Sequence, residues 1–365
     1  MDLVAEALAE ALPRLDPPVH STLIRPQAPH PLHALRALPV PGLDPAIRGW
    51  ARYAWYPRWV ARHQGRGVSL WHVMDHSYAH VVPALPRGRT VVTCHDVDAF
   101  RSLIDPATEQ RSPLFRYMTR RVLDGLQAAA RVTCDSEATR RELVENQLVP
   151  AHRAVTVPLA VHEDFLAPPD PVAERAADRL LEGVDGPFVL HVGSTIPRKR
   201  IDVLLEVMGA LRHRLPALRL VRVGGQLTAA QRVLATRAGL DGAIVEMPML
   251  ERRVLAALYR RSALVLLPSE REGFGLPVVE ALASGTAVLA SDLPVLREVG
   301  GNAAQYAPVA DVGAFTARAL ALLETGGDAL ALQQERGAAG RLWSHRFSWD
   351  ACAARMREVY LDVLA

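Results

Sequence analysis

The sequence predicts an α/β protein with two doubly wound domains. Three observations indicate this fold. The chain has 365 residues, half of them apolar, which is more than one ordinary core needs. Short β-rich runs alternate twice with helical patterns, and a proline-containing segment at residues 162–171 separates the two series. Such strands form parallel sheets that bind ligands at their carboxyl ends, so we expect two Rossmann-like domains facing a cleft.

The first domain is expected to span residues 1–165. Its first element is a helical pattern, whereas a nucleotide-binding sheet of this kind usually begins with a strand and a glycine-rich turn. We therefore expect the first strand of this domain to be missing. The predicted strands are residues 19–25, 68–74, 90–95, 131–135 and 154–159, and the predicted helices are residues 1–12, 114–129 and 137–145.

The second domain is expected to span residues 172–348, after a linker at residues 162–171. A final helix, residues 349–364, is expected to pack back onto the first domain together with the chain end at residue 365. The predicted strands of the second domain are residues 188–192, 218–223, 243–247, 264–267 and 287–290, and its predicted helices are residues 202–214, 229–238, 251–260 and 277–283.

Composition excludes several classes of protein. The net charge is +3 and the basic residues are dispersed, so nucleic acid is not expected as a partner, while a modest basic patch leaves peripheral membrane contact open. Three distant cysteines without a CxxC pair fit a reducing cytoplasm. Acidic residues near the start exclude a signal peptide, and no segment is long enough to span a membrane.

The strongest motif is the glycine-rich turn at residues 268–281, which follows a buried strand. Pro277 is placed where proline favours a helix start, and amides at a helix start can hold a diphosphate. Gly273 and Gly275 would let the backbone approach the ligand. Glu272 and Glu280 bracket this turn, so each could accept hydrogen bonds from ligand hydroxyls. From spacing alone, a helix cap with a solvated glutamate explains the pattern equally well.

This stretch resembles the signature of the family 4 glycosyltransferases, which have two glutamates eight positions apart around a Gly-Phe-Gly-Leu-Pro turn. The similarity continues through residues 284–288 and 296–304. The resemblance implies the GT-B fold and retaining transfer from a nucleotide diphosphate sugar. It also implies that Glu272 contacts the donor sugar and Glu280 the ribose. The amides of Phe274, Gly275 and Leu276 would face the phosphates and the sugar.

A second motif lies at residues 191–200, between a strand and a helix. Arg198 and Lys199 can neutralise the charge that grows on a leaving diphosphate, and Lys199 is the only lysine of the chain. Solvated charge is the alternative, although cations at a helix start oppose its dipole. The motif resembles the family's Pro-Arg-Lys loop, in which Gly193 and Ser194 would also bind the donor. Many relatives have an arginine where this chain has Ser194, and Arg200 either compensates or faces solvent.

His95 ends the predicted strand 90–95, at the edge where a ligand would bind. With Asp96 it resembles the His-Asp pair of relatives in which the histidine reaches the donor sugar, so His95 would orient or stabilise rather than attack. A structural histidine is the alternative. The Asp96-Val97-Asp98 triplet matches the motif of metal-dependent transferases, but that site belongs to a different fold. No metal or other cofactor is expected.

Residues 75–80 form a histidine-rich loop that resembles a segment near the donor or acceptor in some family members. His76 and Tyr78 are the candidates for a sugar or acceptor contact, with His80 as a weaker one. Four-residue histidine spacing brings metal ligands together only on a helix, and residues 68–74 are expected to be a strand, so a metal cluster is disfavoured. Asp135 and Ser136 follow another strand, and their expected role is to cap a helix.

The predicted function is therefore transfer of a hexose from a GDP- or UDP-linked donor to a glycan or lipid-linked acceptor. The two loops resemble those of mannosyl-transferring members, which favours mannose. Three alternatives remain open: a nucleotide-sugar epimerase, a non-catalytic nucleotide-sugar-binding partner, and a nicotinamide-dependent oxidoreductase. The last lacks a GxGxxG after a strand. The expected location is cytoplasmic, with peripheral contact at the inner face of the membrane left open.

Overall fold

A computed structural model describes residues 2–25, 43–63, 67–323 and 329–365 of the chain. The chain divides into two compact units. The first consists of Met1–Leu159 with Trp349–Ala365, and the second of Ala160–Ser348. Each unit is built on one parallel sheet.

The sheet of the first unit has the order β1-β2-β3-β4, and every pairing in it is parallel. Strand β2 is buried along its whole length because helices cover both faces of a parallel sheet. Its neighbour β3 is aligned so that Cys94 lies opposite Cys134, which brings the residues that follow the two strands side by side. The strands are β1 (Trp71–Val73), β2 (Thr90–Cys94), β3 (Arg131–Cys134) and β4 (Ala154–Thr156).

The helices of the first unit include the predicted final helix, which packs beside the first one. Ion pairs from Arg14 to Asp350 and from Arg131 to Asp362, at 2.8 and 2.6 Å, join this helix to the rest of the unit. The α-helices are Asp2–Ala11, Leu43–Trp50, Tyr56–Arg62, Arg101–Ile104, Pro113–Ala128, Glu137–Glu145 and Trp349–Leu364. A π-helical turn forms Ala51–Trp55, and 3-10 helices form Leu12–Arg14, His76–Ala84, Asp98–Phe100 and Ala151–Arg153.

The strand predicted at residues 19–25 is wrong. This segment belongs to no sheet of the described residues, and most of its side chains are exposed. The Val19 amide donates instead to the Leu12 carbonyl, and Arg25 pairs with Glu6 of the first helix. β-propensity requires a pleated surface on which to pack, and this segment has no such surface.

The sheet of the second unit has the order β10-β9-β8-β5-β6-β7, again wholly parallel. The strand order reverses at β5, whose neighbours are β6 on one side and β8 on the other, and a crevice at the carboxyl ends is expected at such a point. The strands are β5 (Phe188–Val192), β6 (Arg219–Val223), β7 (Ile244–Met247), β8 (Leu264–Leu267), β9 (Val288–Ser291) and β10 (Gln305–Ala307).

Helices surround this sheet, and its main core lies between β-strand side chains such as Leu266 and the buried face of the helix that contains Met208. Residues 162–171, expected to be a linker, contain a short helix whose Phe165 is buried against Tyr259. The helices are Glu163–Leu166, Pro171–Leu180, Ile201–Arg214, Ala229–Arg237, Arg252–Arg261, Leu276–Ala283, Pro294–Gly300, Val312–Leu323, Ala329–Ser344 and the 3-10 helix Pro197–Lys199.

Candidate functional site

The turn after β8 has the backbone that the sequence predicts. Gly275 caps the Leu276–Ala283 helix with a left-handed conformation of φ 95°, and Pro277 lies in its first turn. A Cβ at Gly275 would lie 2.5 Å from Leu296 Cδ2, so only glycine fits. Phe274 is buried and packs edge-on against Phe347 at 5.7 Å. The helix start has no side-chain cap, which suits the binding of an anion there.

Glu272, Lys199 and Arg198 form one cluster at this turn. Lys199 Nζ lies 2.6 Å from Glu272 Oε1, and an Arg198 guanidinium nitrogen lies 3.3 Å from Glu272 Oε2. The exposed fractions of these side chains are 11% for Lys199, 19% for Arg198 and 6% for Glu272. Two cations therefore share one carboxylate in a place that retains access to solvent. Cations that keep access to solvent can bind a second anion.

The 3-10 turn Pro197–Lys199 holds these cations in place. The Glu270 amide donates to the Arg198 carbonyl at 2.8 Å, and the Arg198 guanidinium donates to the Arg271 carbonyl at 2.9 Å. Arg200 does not join the cluster, because it pairs with Asp202 at 2.7 Å. Ser194 is exposed on the turn after β5. In this structure Arg200 is therefore held by Asp202, outside the cluster on Glu272.

Sequence reasoning missed Arg222, a fully buried guanidinium near the carboxyl end of β6. It donates to the carbonyls of Gly193 and Gly225 at 3.2 and 3.3 Å, and so joins the turns that follow β5 and β6. Gly224 permits this approach, since a Cβ there would lie 2.6 Å from the Gly193 oxygen. Burial lowers the pKa of Arg222. A charged residue within an apolar strand was the available indication.

His191 lies in β5, below the same turn. It is fully buried, and neither ring nitrogen has a hydrogen-bond partner among the described residues. Burial, together with the charges of Arg222 and Lys199, holds the pKa of His191 well below its usual range. The imidazole is therefore neutral, and it does not add to the positive charge of the turn.

Glu280 lies in the first part of the helix and is half-buried. Its Oε2 accepts a hydrogen bond of 2.8 Å from the hydroxyl of Tyr259, a fully buried residue that sequence reasoning also missed. Burial raises the pKa of Glu280 to about 7, although the Tyr259 hydrogen bond opposes this shift. No partner for Oε1 is found in the described part of the chain. One carboxyl oxygen of Glu280 thus has capacity for a ligand hydroxyl.

In the first unit, His95 follows β2 and Asp135 follows β3. His95 Nδ1 lies 2.6 Å from Asp135 Oδ2, and His95 Nε2 lies 2.7 Å from the Met74 carbonyl oxygen. Burial disfavours the charged ring, but Asp135 outweighs it through charge and hydrogen bonding and raises the pKa of His95. Both ring nitrogens are engaged within the unit. Contact of His95 with a donor sugar therefore stays a prediction.

The histidine-rich segment was expected to be a loop, and it forms the 3-10 helix His76–Ala84. His76 and His80 are buried: His76 Nδ1 accepts from the His95 amide at 3.3 Å, and His80 Nε2 lies 2.8 Å from the Arg52 carbonyl oxygen. Tyr78 is exposed, with the Arg52 guanidinium 4.6 Å from its ring centre. Only Tyr78 of these candidates is openly accessible. Within the described residues, no group of three His, Cys, Asp or Glu side chains could hold a metal ion.

Two family profiles match the chain. The profile described as glycosyl transferases group 1 matches residues 173–342, and the profile described as glycosyltransferase family 4 matches residues 2–165. One match lies almost entirely in each unit. They confirm the resemblance that the motifs indicate.

Individual relatives agree. O-antigen chain mannosyltransferase B of Escherichia coli is 28% identical over 74% of this chain and 70% of its own length. D-inositol 3-phosphate glycosyltransferase of Xylanimonas cellulosilytica is 36% identical over 57% of this chain and 51% of its own length. The chain thus spans only about half of the second relative.

Solved structures share the fold. Sucrose-phosphate synthase from Thermosynechococcus elongatus has a TM-score of 0.70 at 23% identity, with coverage of 86% of this chain and 79% of that chain. HepE from Anabaena, solved with UDP and glucose, has a TM-score of 0.68 at 16% identity, with coverage of 85% and 82%. These likenesses confirm the GT-B fold.

Proposed function

Because the chain belongs to the family 4 glycosyltransferases, we propose that it is a retaining enzyme that transfers a hexose from a nucleotide diphosphate sugar. The observation that carries this proposal is the cluster of Lys199 and Arg198 on Glu272, beside the uncapped Leu276–Ala283 helix. Cations and helix amides at one place suit a diphosphate, and a carboxylate beside them suits sugar hydroxyls.

Donor binding would rearrange this cluster. A diphosphate carries more negative charge than one carboxylate, so it takes over Lys199 and Arg198 from Glu272. Glu272 is then free to accept hydrogen bonds from the donor sugar, and Glu280 accepts them from the ribose through its available oxygen. Gly193, Ser194, Gly273, Phe274, Gly275 and Leu276 would line the donor with their backbone.

The transfer itself is a front-face displacement. The bond between the anomeric carbon and the diphosphate oxygen breaks, the acceptor oxygen bonds to the same face of that carbon, and the acceptor proton passes to the leaving phosphate. Lys199 and Arg198 stabilise the charge that grows on the leaving group. No protein nucleophile is needed. In this proposal His95 contacts the donor sugar after exchanging its bond to Met74, and Tyr78 contacts the sugar or the acceptor.

The proposed donor sugar and acceptor rest on the similarity of the chain to its relatives. The resemblance to a mannosyltransferase supports mannose as the hexose and a glycan or lipid-linked acceptor. GDP and UDP are both candidate nucleotides, and no cofactor is proposed. No helix in the described ranges is long and apolar enough to cross a membrane. We propose a cytoplasmic location with peripheral contact at the inner membrane face.

A screen of nucleotide sugars for thermal stabilisation tests the proposal. A true donor at a hundred times its Kd should stabilise the protein by about 2.7 kcal/mol. Product analysis with that donor and a glycan acceptor should then show retention at the anomeric carbon. The proposal fails if no nucleotide sugar stabilises the protein. A product formed without acceptor would indicate an epimerase, and binding without turnover would indicate a non-catalytic partner.

A further inference from the structure

One helical segment of the first unit, residues 43–63, is rich in tryptophan and arginine. It consists of the Leu43–Trp50 helix, the π turn Ala51–Trp55 and the Tyr56–Arg62 helix. Three of the six tryptophans of the chain lie inside it, within a stretch of ten residues. They are Trp50, Trp55 and Trp59.

The π turn brings two of these indoles onto one side. A π turn closes with hydrogen bonds five residues apart, and the Tyr56 amide donates to the Ala51 carbonyl in this way. Trp50 and Trp55 are also five residues apart, so they share a face that they would not share on a regular α-helix. Insertions of this kind often occur at functional positions.

The segment has an inner and an outer face. Val60 is buried against Val81 and Leu85 on the inner face. The outer face surrounds a cleft of about 280 Å³, and Trp50 on it is 51% exposed. We call this outer face the indole–arginine face, and the cleft is lined by Trp50, Ala54, Trp55, Arg58, Trp59, Arg62 and His63.

No carboxylate in the part of the chain that the structure describes pairs with the arginines of this face. Arg58 and Arg62 are exposed, and neither forms an ion pair with any of the residues that the structure describes. The Arg58 guanidinium donates to the Ala54 carbonyl at 2.7 Å. No carboxylate or carboxamide of the described ranges lines the cleft. By contrast, the exposed Arg48 just before it pairs with Asp44.

We infer that the indole–arginine face binds the surface of an anionic lipid bilayer. Tryptophan favours the boundary between headgroups and acyl chains because its ring is apolar and its N–H is polar. Arg58 and Arg62, which have no ion-pair partner among the described residues, lie next to the indoles and attract lipid phosphates. A sugar is a weaker fit for the cleft, since no carboxylate or carboxamide of the described residues lines it to accept hydrogen bonds from sugar hydroxyls.

The same segment is bonded to Tyr78. The Arg52 guanidinium donates to the Ser77 carbonyl and covers the Tyr78 ring, while the Arg52 carbonyl lies 2.8 Å from His80 Nε2. Tyr56 also packs against Tyr78, with ring centres 5.6 Å apart. The membrane-facing surface and the exposed Tyr78 thus form one packed structure. If the acceptor is lipid-linked, as the proposed function holds, docking would bring Tyr78 to the depth of the headgroups.

Vesicle flotation of the full chain tests the inference, with phosphatidylcholine vesicles that contain or lack phosphatidylglycerol. We expect binding only to the anionic vesicles, and weaker binding at high salt. The double variant Arg58→Gln/Arg62→Gln should bind the anionic vesicles at least about tenfold more weakly, because each arginine near the surface contributes to the attraction between protein and lipid. Arg58→Lys/Arg62→Lys keeps the charge and should bind nearly as well as the wild type. Trp50→Ala should also weaken binding.

A matched control removes the same charge elsewhere. Arg214 and Arg237 are exposed arginines of the second unit without an ion pair among the described residues, so Arg214→Gln/Arg237→Gln should bind like the wild type. An equal loss in both double variants would overturn the inference, as would equal binding to neutral vesicles or retention by the Gln pair at the indole–arginine face. The assay needs no nucleotide sugar. A negative vesicle result would therefore not count against the proposed sugar transfer. A negative donor screen would count against the transfer and leave the membrane inference standing.

Discussion

Polar residues at the carboxyl ends of the two sheets are arranged in opposite ways. In the second unit, Lys199 and Arg198 both contact the carboxylate of Glu272 and keep some access to solvent. In the first unit, the ring of His95 is almost fully buried, and Asp135 and the Met74 carbonyl take both of its nitrogens. The first arrangement keeps cations accessible to a ligand, whereas both ring nitrogens in the second are engaged within the protein.

This difference indicates what each unit contributes. A cluster that trades one anion for another is suited to binding and releasing a diphosphate. A buried hydrogen-bond network is suited to fixing the geometry of the backbone, since breaking it leaves further buried polar groups without partners. We therefore expect substitutions in the second unit to change ligand binding and turnover, and substitutions in the His95 network to change stability first.

Glu272→Ala should give the largest effect. Transfer should fall by a factor on the order of a thousand, because the contact with the donor sugar is lost. The free nucleoside diphosphate should nevertheless bind as tightly as before, or more tightly, because the competing carboxylate is removed from Lys199. Turnover assays and calorimetry check the two expectations. Unchanged turnover would refute the assigned role, and loss of diphosphate affinity would refute the competition between the two anions.

Asp135→Asn should destabilise the first unit by about 3 kcal/mol, because it removes the partner of a buried charged group. The pH dependence should also reverse. Asp135 raises the pKa of His95, so the pair stabilises the wild type below a pH of about 6.5 and loses this contribution as the pH rises through the folded-state pKa. In the variant, burial, the largest influence on His95, is opposed by the Met74 carbonyl and Asp75 but no longer by Asp135, so we expect the pKa of His95 to fall below its usual value and stability to fall as the pH decreases.

Thermal melts of the two proteins across this pH range check the reversal. Since other groups titrate as well, the quantity to follow is the difference in melting temperature between the variant and the wild type. A difference that does not change with pH would show that His95 and Asp135 do not share a proton. Asp362→Asn, which removes an exposed carboxylate on the final helix, serves as the control.

The sequence predicts the second site better than the first because its parts are local. The glycine turn and both glutamates lie within residues 268–281, and β5 and β8 have the predicted bounds. Arg222 and Tyr259 were missed because their partners lie 29 and 21 residues away. The strand alignment of β2 with β3 would have placed Asp135 beside His95, but it cannot be read from one strand at a time. The strand predicted at residues 19–25 was wrong because the β-propensity of these residues says nothing about whether a partner strand lies beside them.

Lys199→Ala should raise the Kd of the donor by about tenfold to a hundredfold, which corresponds to one charge-assisted hydrogen bond. Arg200→Gln is the matched control: it removes a neighbouring cation that pairs with Asp202 instead of Glu272, so donor affinity should stay close to that of the wild type. Calorimetric titration measures both. If Lys199→Ala bound the donor as tightly as the wild type, the phosphate role of Lys199 would be contradicted. An equal loss of affinity in both variants would mean that any cation removed from this turn weakens donor binding.

Tyr259→Phe should give a smaller but more specific effect. The Tyr259 hydroxyl donates to Glu280 and lowers the pKa of this carboxyl, whereas burial raises it, and the result of both is a pKa of about 7. Loss of the hydroxyl should therefore raise the pKa of Glu280 further. Ribose hydroxyls need the ionised carboxylate as acceptor, so donor affinity should fall as the pH drops through this value, and the midpoint should lie higher in the variant. At neutral pH we expect a loss of about fivefold, the contribution of one hydrogen bond.

Tyr306→Phe controls for this substitution, because it removes a buried hydroxyl from the same unit that donates to the carbonyls of Leu296 and Gly301 instead of a carboxylate. It should cost stability without moving the pH midpoint of donor binding. Affinity for a nucleotide that lacks the ribose hydroxyls sharpens the comparison, since it should differ little between Tyr259→Phe and the wild type. A pH profile that is the same in all three proteins would mean that Tyr259 supports only the packing around Phe165.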